Sequence, residues 1–254
     1  IEHSPVLVAE ASSPLKLQVL IKSDTALIDE DFVVNVFYAD GDTVAHALTE
    51  VSNGLYSVQL TPDPTEDILS YYFDGLSDAF DKTYRVPETG SYEVTLTSIP
   101  TISVPFSAAG GGDFESGTAN FITTSNIAGE GLWEHGDVVN KFDNYASTAW
   151  VTSLRETMTS PEQAIESALI SPLFDLTDLG KDYNLSFDYL GDFSDFDVAA
   201  VYYSLDTGLT WSKLGHAYDD LGISWYQQPI YGDFFSGQTV DSEGVFAVQN
   251  ASYP

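Results

Sequence analysis

The chain has 254 residues, 43% of them hydrophobic, and carries 39 acidic against eight basic side chains for a formal charge of −31. This is enough apolar material for packed cores and enough length for two domains, so global disorder is excluded. The acidic excess excludes nucleic acid, whose phosphates need Lys and Arg, and disfavours an anionic membrane face.

The acid is spread evenly: residues 1–105 hold 17 acidic and four basic side chains, net −13, and residues 106–254 hold 22 and four, net −18. Such a surface serves solubility and is able to gather divalent cations. Cysteine is absent, so no disulfide or thiolate chemistry is available, and this leans towards a bacterial origin. No apolar run approaches transmembrane length. The opening Ile1-Glu2-His3-Ser4-Pro5, with neither Met nor a signal peptide, is what a piece of a longer, processed polypeptide would show.

In chain order, the first half reads as short strands. Leu15–Ile21, Phe32–Tyr38, Leu55–Leu60, Ile68–Asp74 and Ser91–Thr97 are alternating or β-branched and aromatic. Asp40-Gly41-Asp42, Asn53-Gly54, Pro62-Asp63-Pro64 and Glu88-Thr89-Gly90 separate them. That spacing predicts an all-β sandwich of roughly seven strands over residues 1–105. Side chains alternate on a strand, so Tyr71 and Tyr72 must face opposite ways, one of them outward. Ser107-Ala108-Ala109-Gly110-Gly111-Gly112 reads as a flexible linker, with the boundary near Phe106.

The second half, residues 106–254, opens on Asp113-Phe114-Glu115-Ser116-Gly117. Residues 118–150 read as loops with short strands. Pro161–Ile170 is the best helix candidate, with Ser160 as cap and Pro161 at the first position. Pro172 opposes helix at Ser171, so a short turn followed by a strand is the favoured reading. Asn184–Leu190 and Val198–Tyr203 alternate as strands. Trp225-Tyr226, Tyr231, Phe234, Phe235 and Phe246 follow without a clear period.

Ser204-Leu205-Asp206-Thr207-Gly208-Leu209-Thr210-Trp211 fits the Asp-box pattern S-x-D-x-G-x-T-W. Asp206 is placed to accept turn N–H groups, Gly208 to adopt positive φ, and Trp211 to pack back across a hairpin. A structural turn is the favoured role, and a ligand role for Asp206 the minority one. Asp113 and Glu115 alternate, so both would reach one ion from one strand face. Calcium, which takes six to eight oxygen ligands, is the cofactor this acid suggests, although no EF-hand spacing is present. Solvated surface acid is the default reading of any single carboxylate here.

All four tryptophans, Trp133, Trp150, Trp211 and Trp225, lie in the second half. Trp150 and Trp211 are expected in the core. Trp133 and Tyr226, in loop-like sequence, are the candidates for exposure and for stacking on sugars. Catalytic motifs are lacking: no H-E-x-x-H, G-x-S-x-G or Walker loop occurs, and His3, His46, His135 and His216 are scattered. A glycosidase carboxylate pair has no selectivity among 39 acids.

Seven pieces of the second half occur in a telling order: DFESG (113–117), GLWEHG (131–136), TAWVTSL (148–154), IESALISPLFDLTDL (165–179), LSFDYL (185–190), DVAAVYYSLDTGLTWSKLG (197–215) and SWY (224–226). Together they resemble the MAM-like jelly-roll modules of secreted bacterial peptidases and adhesins, in the same broad class as the cleaved-adhesin and choice-of-anchor groups. Residues 1–105, with SPVLVAE and LSYYFDGLSDAF, more loosely resemble the fibronectin-III-like or immunoglobulin-like modules that precede such jelly rolls.

The resemblance implies two β-sandwiches without catalysis of their own. It implies a non-catalytic accessory or adhesion region that attaches a secreted, extracellular protein to glycans, proteins or the cell surface, following a peptidase domain. It also implies a structural calcium, with Glu166, Asp192, Asp195 and Asp197 at acidic positions of the pattern. These modules close with a late acidic strand, which is not found before Tyr253-Pro254, so the last strands and part of the calcium site are expected elsewhere. The alternative reading is a building unit of an extracellular fibre or surface layer; a glycoside hydrolase is the outsider.

Overall fold

The computed structural model describes residues 2–11, 13–22, 32–37, 42–77, 82–125, 133–138, 147–154, 166–178, 180–194, 197–217, 219–226 and 232–254. The chain is all-β, with several sheets and one short 3-10 turn at Ala108–Gly110 among these residues.

The first half contains β1 (Val8–Glu10), β2 (Leu15–Leu20), β3 (Val33–Phe37), β4 (Thr43–Ala47), β5 (Thr49–Ser52), β6 (Leu55–Leu60), β7 (Ile68–Ser77), β8 (Lys82–Val86) and β9 (Tyr92–Thr97). Five of these lie where alternation placed strands; β1, β4, β5 and β8 are additional. A three-stranded sheet runs β2-β6-β5, and a six-stranded sheet runs β1-β9-β7-β3-β4 with β8 also on β7. Strands 2, 6 and 5 thus oppose strands 3, 7 and 9, the strand order of an immunoglobulin-type sandwich. The chain changes sheet at Leu48, whose N–H bonds Phe32 O at 2.9 Å.

Alternation makes the core. Leu15, Leu17 and Val19 of β2 point inward, as do Val34 and Val36 of β3, Leu69, Tyr71 and Phe73 of β7, and Val94 and Leu96 of β9. Each aliphatic side chain fully buried this way contributes about 1.5–3 kcal/mol. Tyr71 is wholly buried, whereas Tyr72 points the other way and lies under the Arg85 guanidinium, 3.7 Å above its ring. Asn53 (φ 35°) and Gly54 (φ 82°) close the β5–β6 hairpin. A side chain at Gly54 would strike Ile21 O at 2.5 Å, so glycine is needed for space as well as for φ.

The second half contains β11 (Ile122–Ser125), β12 (Glu134–Asp137), β13 (Thr148–Val151), β14 (Ser167–Ile170), β15 (Leu173–Asp175), β16 (Leu185–Tyr189), β17 (Tyr202–Tyr203), β18 (Ser212–Lys213) and β19 (Gln249–Tyr253); β10 (Thr101–Ser103) leads into it. Among the described residues they pair two by two: β11 with β14, β12 with β13, β16 with β19, β17 with β18, and β10 with β15 in parallel. Ser167–Ile170 is extended, as Pro172 required, while residues 161–165 of the helix candidate lie outside the described residues.

Residues 107–112 fold into a local turn. Gly110 N–H and Gly112 N–H both bond Ser107 O, at 2.8 and 2.9 Å, and Gly111 N–H bonds Ala108 O at 3.0 Å. The halves also meet directly: Val8, Ile99 and Ile170 form one buried cluster, covered by Ile122, Leu173 and Trp211.

Candidate functional site

The Asp-box hairpin is closed by its own set of side-chain hydrogen bonds. Ser204 Oγ donates to Asp206 Oδ1 at 2.8 Å and accepts the Gly208 N–H at 2.8 Å. Asp206 Oδ1 accepts the Thr210 N–H at 2.9 Å, and its Oδ2 accepts the Thr210 hydroxyl at 2.7 Å. Trp211 Nε1 closes the loop on Gly208 O at 3.0 Å. Burial pushes the Asp206 carboxyl up, but the Thr210 and Ser204 bonds outweigh it and hold the group below its usual range. Thr207 (φ 59°) and Gly208 (φ 92°) make the reversal.

This clamp holds a ribbon with apolar side chains in solvent. Tyr202 and Tyr203 of β17 are 48% and 42% exposed, and Leu205 at the turn is 90% exposed. Across the ribbon, Lys213 Nζ sits 3.7 Å above the Phe234 ring and bonds Asp233 O at 3.2 Å. The Asp233 carboxylate bonds His216 Nδ1 at 2.9 Å and accepts the Ala217 N–H at 2.6 Å. The His216 bond foremost holds Asp233 below the usual carboxylate range. Tyr253 donates its hydroxyl to Asp219, which raises the phenol and lowers the acid. Sequence reasoning missed this set of polar bonds. His216, Asp219, Asp233 and Tyr253 are separated along the chain and form no spacing motif.

The expected calcium ligands do not converge. Asp113–Gly117 is a run of turns rather than a strand, because Phe114 adopts φ 59°. Asp113 and Glu115 consequently do not share a strand face; Asp113 Oδ1 instead accepts the Glu115 N–H at 3.3 Å. Glu115 Oε1 takes the Ser147 hydroxyl and the Thr148 N–H, the latter at 3.0 Å, and these bonds lower its pKa. Asp192 accepts from Gln238 Nε2 at 2.7 Å and Asp197 from Ser194 Oγ at 2.6 Å. Glu166 is exposed, and Asp195 lies outside the described residues. Among the described residues no group of three or more His, Asp or Glu side chains is gathered as an ion would require.

Tyr226 is a correction. It is 1% exposed, and its hydroxyl accepts the Val201 N–H at 3.0 Å. Burial pushes its pKa up to about 12. With Trp225, Phe235 and Ala251 it forms the aromatic core, so it has no face for a sugar. Trp133 is half-buried with Nε1 turned inside, and among the described residues neither it nor Trp150 Nε1 has a hydrogen-bond partner. Trp211 is partly buried against Val8, as its strand context predicts. A shallow open cavity of about 380 Å³ lies over Gly110, Gly111 and Ser116–Asn120; its lining carries no charged or aromatic side chain.

No family model matches the chain, and no curated protein matches it.

Proposed function

We propose that this chain is a non-catalytic recognition region of a secreted bacterial protein, in line with the MAM-like resemblance of its second half, and that it binds through the β17–β18 ribbon. The observation that carries this reading is the ribbon itself. Two neighbouring tyrosines and a leucine stand in solvent on a turn with its own hydrogen-bonded clamp. Exposed aromatic and aliphatic side chains on a preformed element are the usual anchors of a contact surface, because little entropy is lost when they bind. Tyrosine also offers a face for sugars and a hydroxyl for hydrogen bonding.

The surrounding charge narrows the partner. A surface of net −18 repels acidic polymers, so the ligand is a neutral glycan or a protein surface of neutral or basic character. Structural calcium, which the MAM-like resemblance implies, belongs to this reading without an assigned ligand set. The test is a binding screen of the full chain against neutral and acidic polysaccharides and extracellular proteins. Retention of one neutral or basic partner, lost in the combined Tyr202→Ala, Tyr203→Ala, Leu205→Ala variant, is expected. Equal retention by the variant would remove the ribbon from the site.

A further inference from the structure

The two sides of the Asp-box hairpin differ. One side presents Leu205 to solvent, while the other is inserted against the first half. Gly208 is buried, and a methyl added there would lie 3.1 Å from Val8 Cγ1 and 3.3 Å from Val8 O. Leu209 packs on the core of the first sandwich. Trp211 packs on the cluster of Val8, Ile99 and Ile170, which itself draws on both halves. Val8 belongs to β1, which pairs in parallel with β9, so the hairpin abuts an edge strand integral to the first sheet. A second link lies alongside: β10 pairs with β15 from Thr101↔Leu173 to Ser103↔Asp175, and Leu173 N–H bonds Pro100 O at 3.0 Å.

We propose that the Asp-box hairpin is a clasp that locks the two halves into one cooperative unit, with Gly208 as the point of insertion. The glycine is required twice over. Its φ of 92° is one that side-chain-bearing residues rarely adopt, and a Cβ would crowd Val8 more tightly than ordinary van der Waals contact. The clamp bonds of Asp206 then serve to present Gly208, Leu209 and Trp211 in the one arrangement that fits β1. The ribbon carrying Tyr202 and Tyr203 is thereby held in a fixed orientation to the first half. This goes beyond the recognition reading and stands whether or not that reading holds.

The distribution of tryptophan makes the clasp testable in the full chain. All four tryptophans lie beyond residue 113, so their fluorescence follows the second half and, through Trp211, its contact with Val8 and Ile99, while amide exchange in β3 and β7 follows the first half. In urea, the unsubstituted chain is expected to lose both signals at one midpoint. Gly208→Val is expected to split them, with the tryptophan transition at lower urea. Leu205→Ala, on the exposed side of the same turn, is expected to leave the single midpoint in place. Should Gly208→Val fail to fold, Val8→Ala and the smaller Gly208→Ala probe the same contact from its two sides. The double variant is then expected to shift the midpoint by clearly less than the sum of the single shifts. Two transitions in the unsubstituted chain, a single unchanged midpoint in Gly208→Val, or strictly additive shifts in the pair would overturn the clasp.

Discussion

The first half hides its apolar side chains and the second half displays them. Fifteen buried residues from two facing sheets close one core in the first half, whereas the aromatic cluster around Trp225, Tyr226 and Phe235 has four. Of the fifteen large hydrophobic residues that stand exposed among the described residues, Val44, Val51, Ile68 and Tyr84 belong to the first half. The first half is held by area removed from water, which is non-directional and tolerant. The second half has two-stranded pairs that bury less, and turn clamps such as those of Asp206, Glu115 and Asp233 take over the role of fixing geometry. Directional bonds of that kind hold a shape while leaving side chains free for contact.

That contrast is open to attack, beginning with the largest effect. Phe73→Ala, in the shared core of the two sheets, is expected to destabilise the chain by about 3–5 kcal/mol, read as a shift of the urea midpoint. A loss near 1 kcal/mol would mean that the sandwich is not the stable half.

Acid gives the second effect. His3 donates from Nδ1 to Gln18 O at 2.5 Å, accepts the Tyr71 hydroxyl at Nε2 at 2.7 Å, and packs edge-on against Phe73. Burial lowers its pKa from 6.5 to about 4. The unfolded chain therefore takes up the proton first. The stabilisation is complete above pH 6.5 and is lost progressively as the pH falls towards 4, up to about 3 kcal/mol in all. The lowered carboxylates, Asp206 in the second half and Glu2 and Asp63 in the first among them, lose theirs as the pH falls from the ordinary carboxylate value downward, so the His3 effect stands apart from them at higher pH. His3→Gln is expected to flatten the slope between pH 6.5 and 4 in urea denaturation; an unchanged slope would place its origin elsewhere.

Asp206→Ala removes three bonds from a partly solvated turn and is expected to cost about 1 kcal/mol, with a change in Trp211 emission. Glu115→Gln is a smaller change. Faster amide exchange at Thr148 is expected, with the global midpoint unmoved. Tyr202→Ala and Tyr203→Ala are expected to alter stability by no more than about 0.5 kcal/mol, while removing binding.

How much of this the chain discloses depends on backbone conformation. Tyr71 and Tyr72 obey alternation because β7 is regular, and one tyrosine goes in while its neighbour goes out. Trp225 and Tyr226 are neighbours too, yet both are buried, because Ser224 (φ 50°) and Tyr226 (φ 44°) leave the extended region and cancel the period of two. Phe114 at φ 59° misplaces Asp113 and Glu115 in the same way. Left-handed residues other than glycine carry no compositional mark, so the aromatic core and the Glu115 latch are hidden in the sequence. The Asp box is legible since its Ser, Asp, Gly, Thr and Trp are all local. The Val8 contact is not, since its partner lies 200 residues away.

The recognition surface described above depends on the ribbon being held before any ligand arrives. Amide exchange at Gly208 and Thr210 in the free, full-length chain measures this most directly. Their N–H groups bond Ser204 Oγ and Asp206 Oδ1, so protection comparable to that of the β7 core amides is expected although both residues lie in a turn. Exchange at the rate of an unfolded peptide would contradict a preformed ribbon.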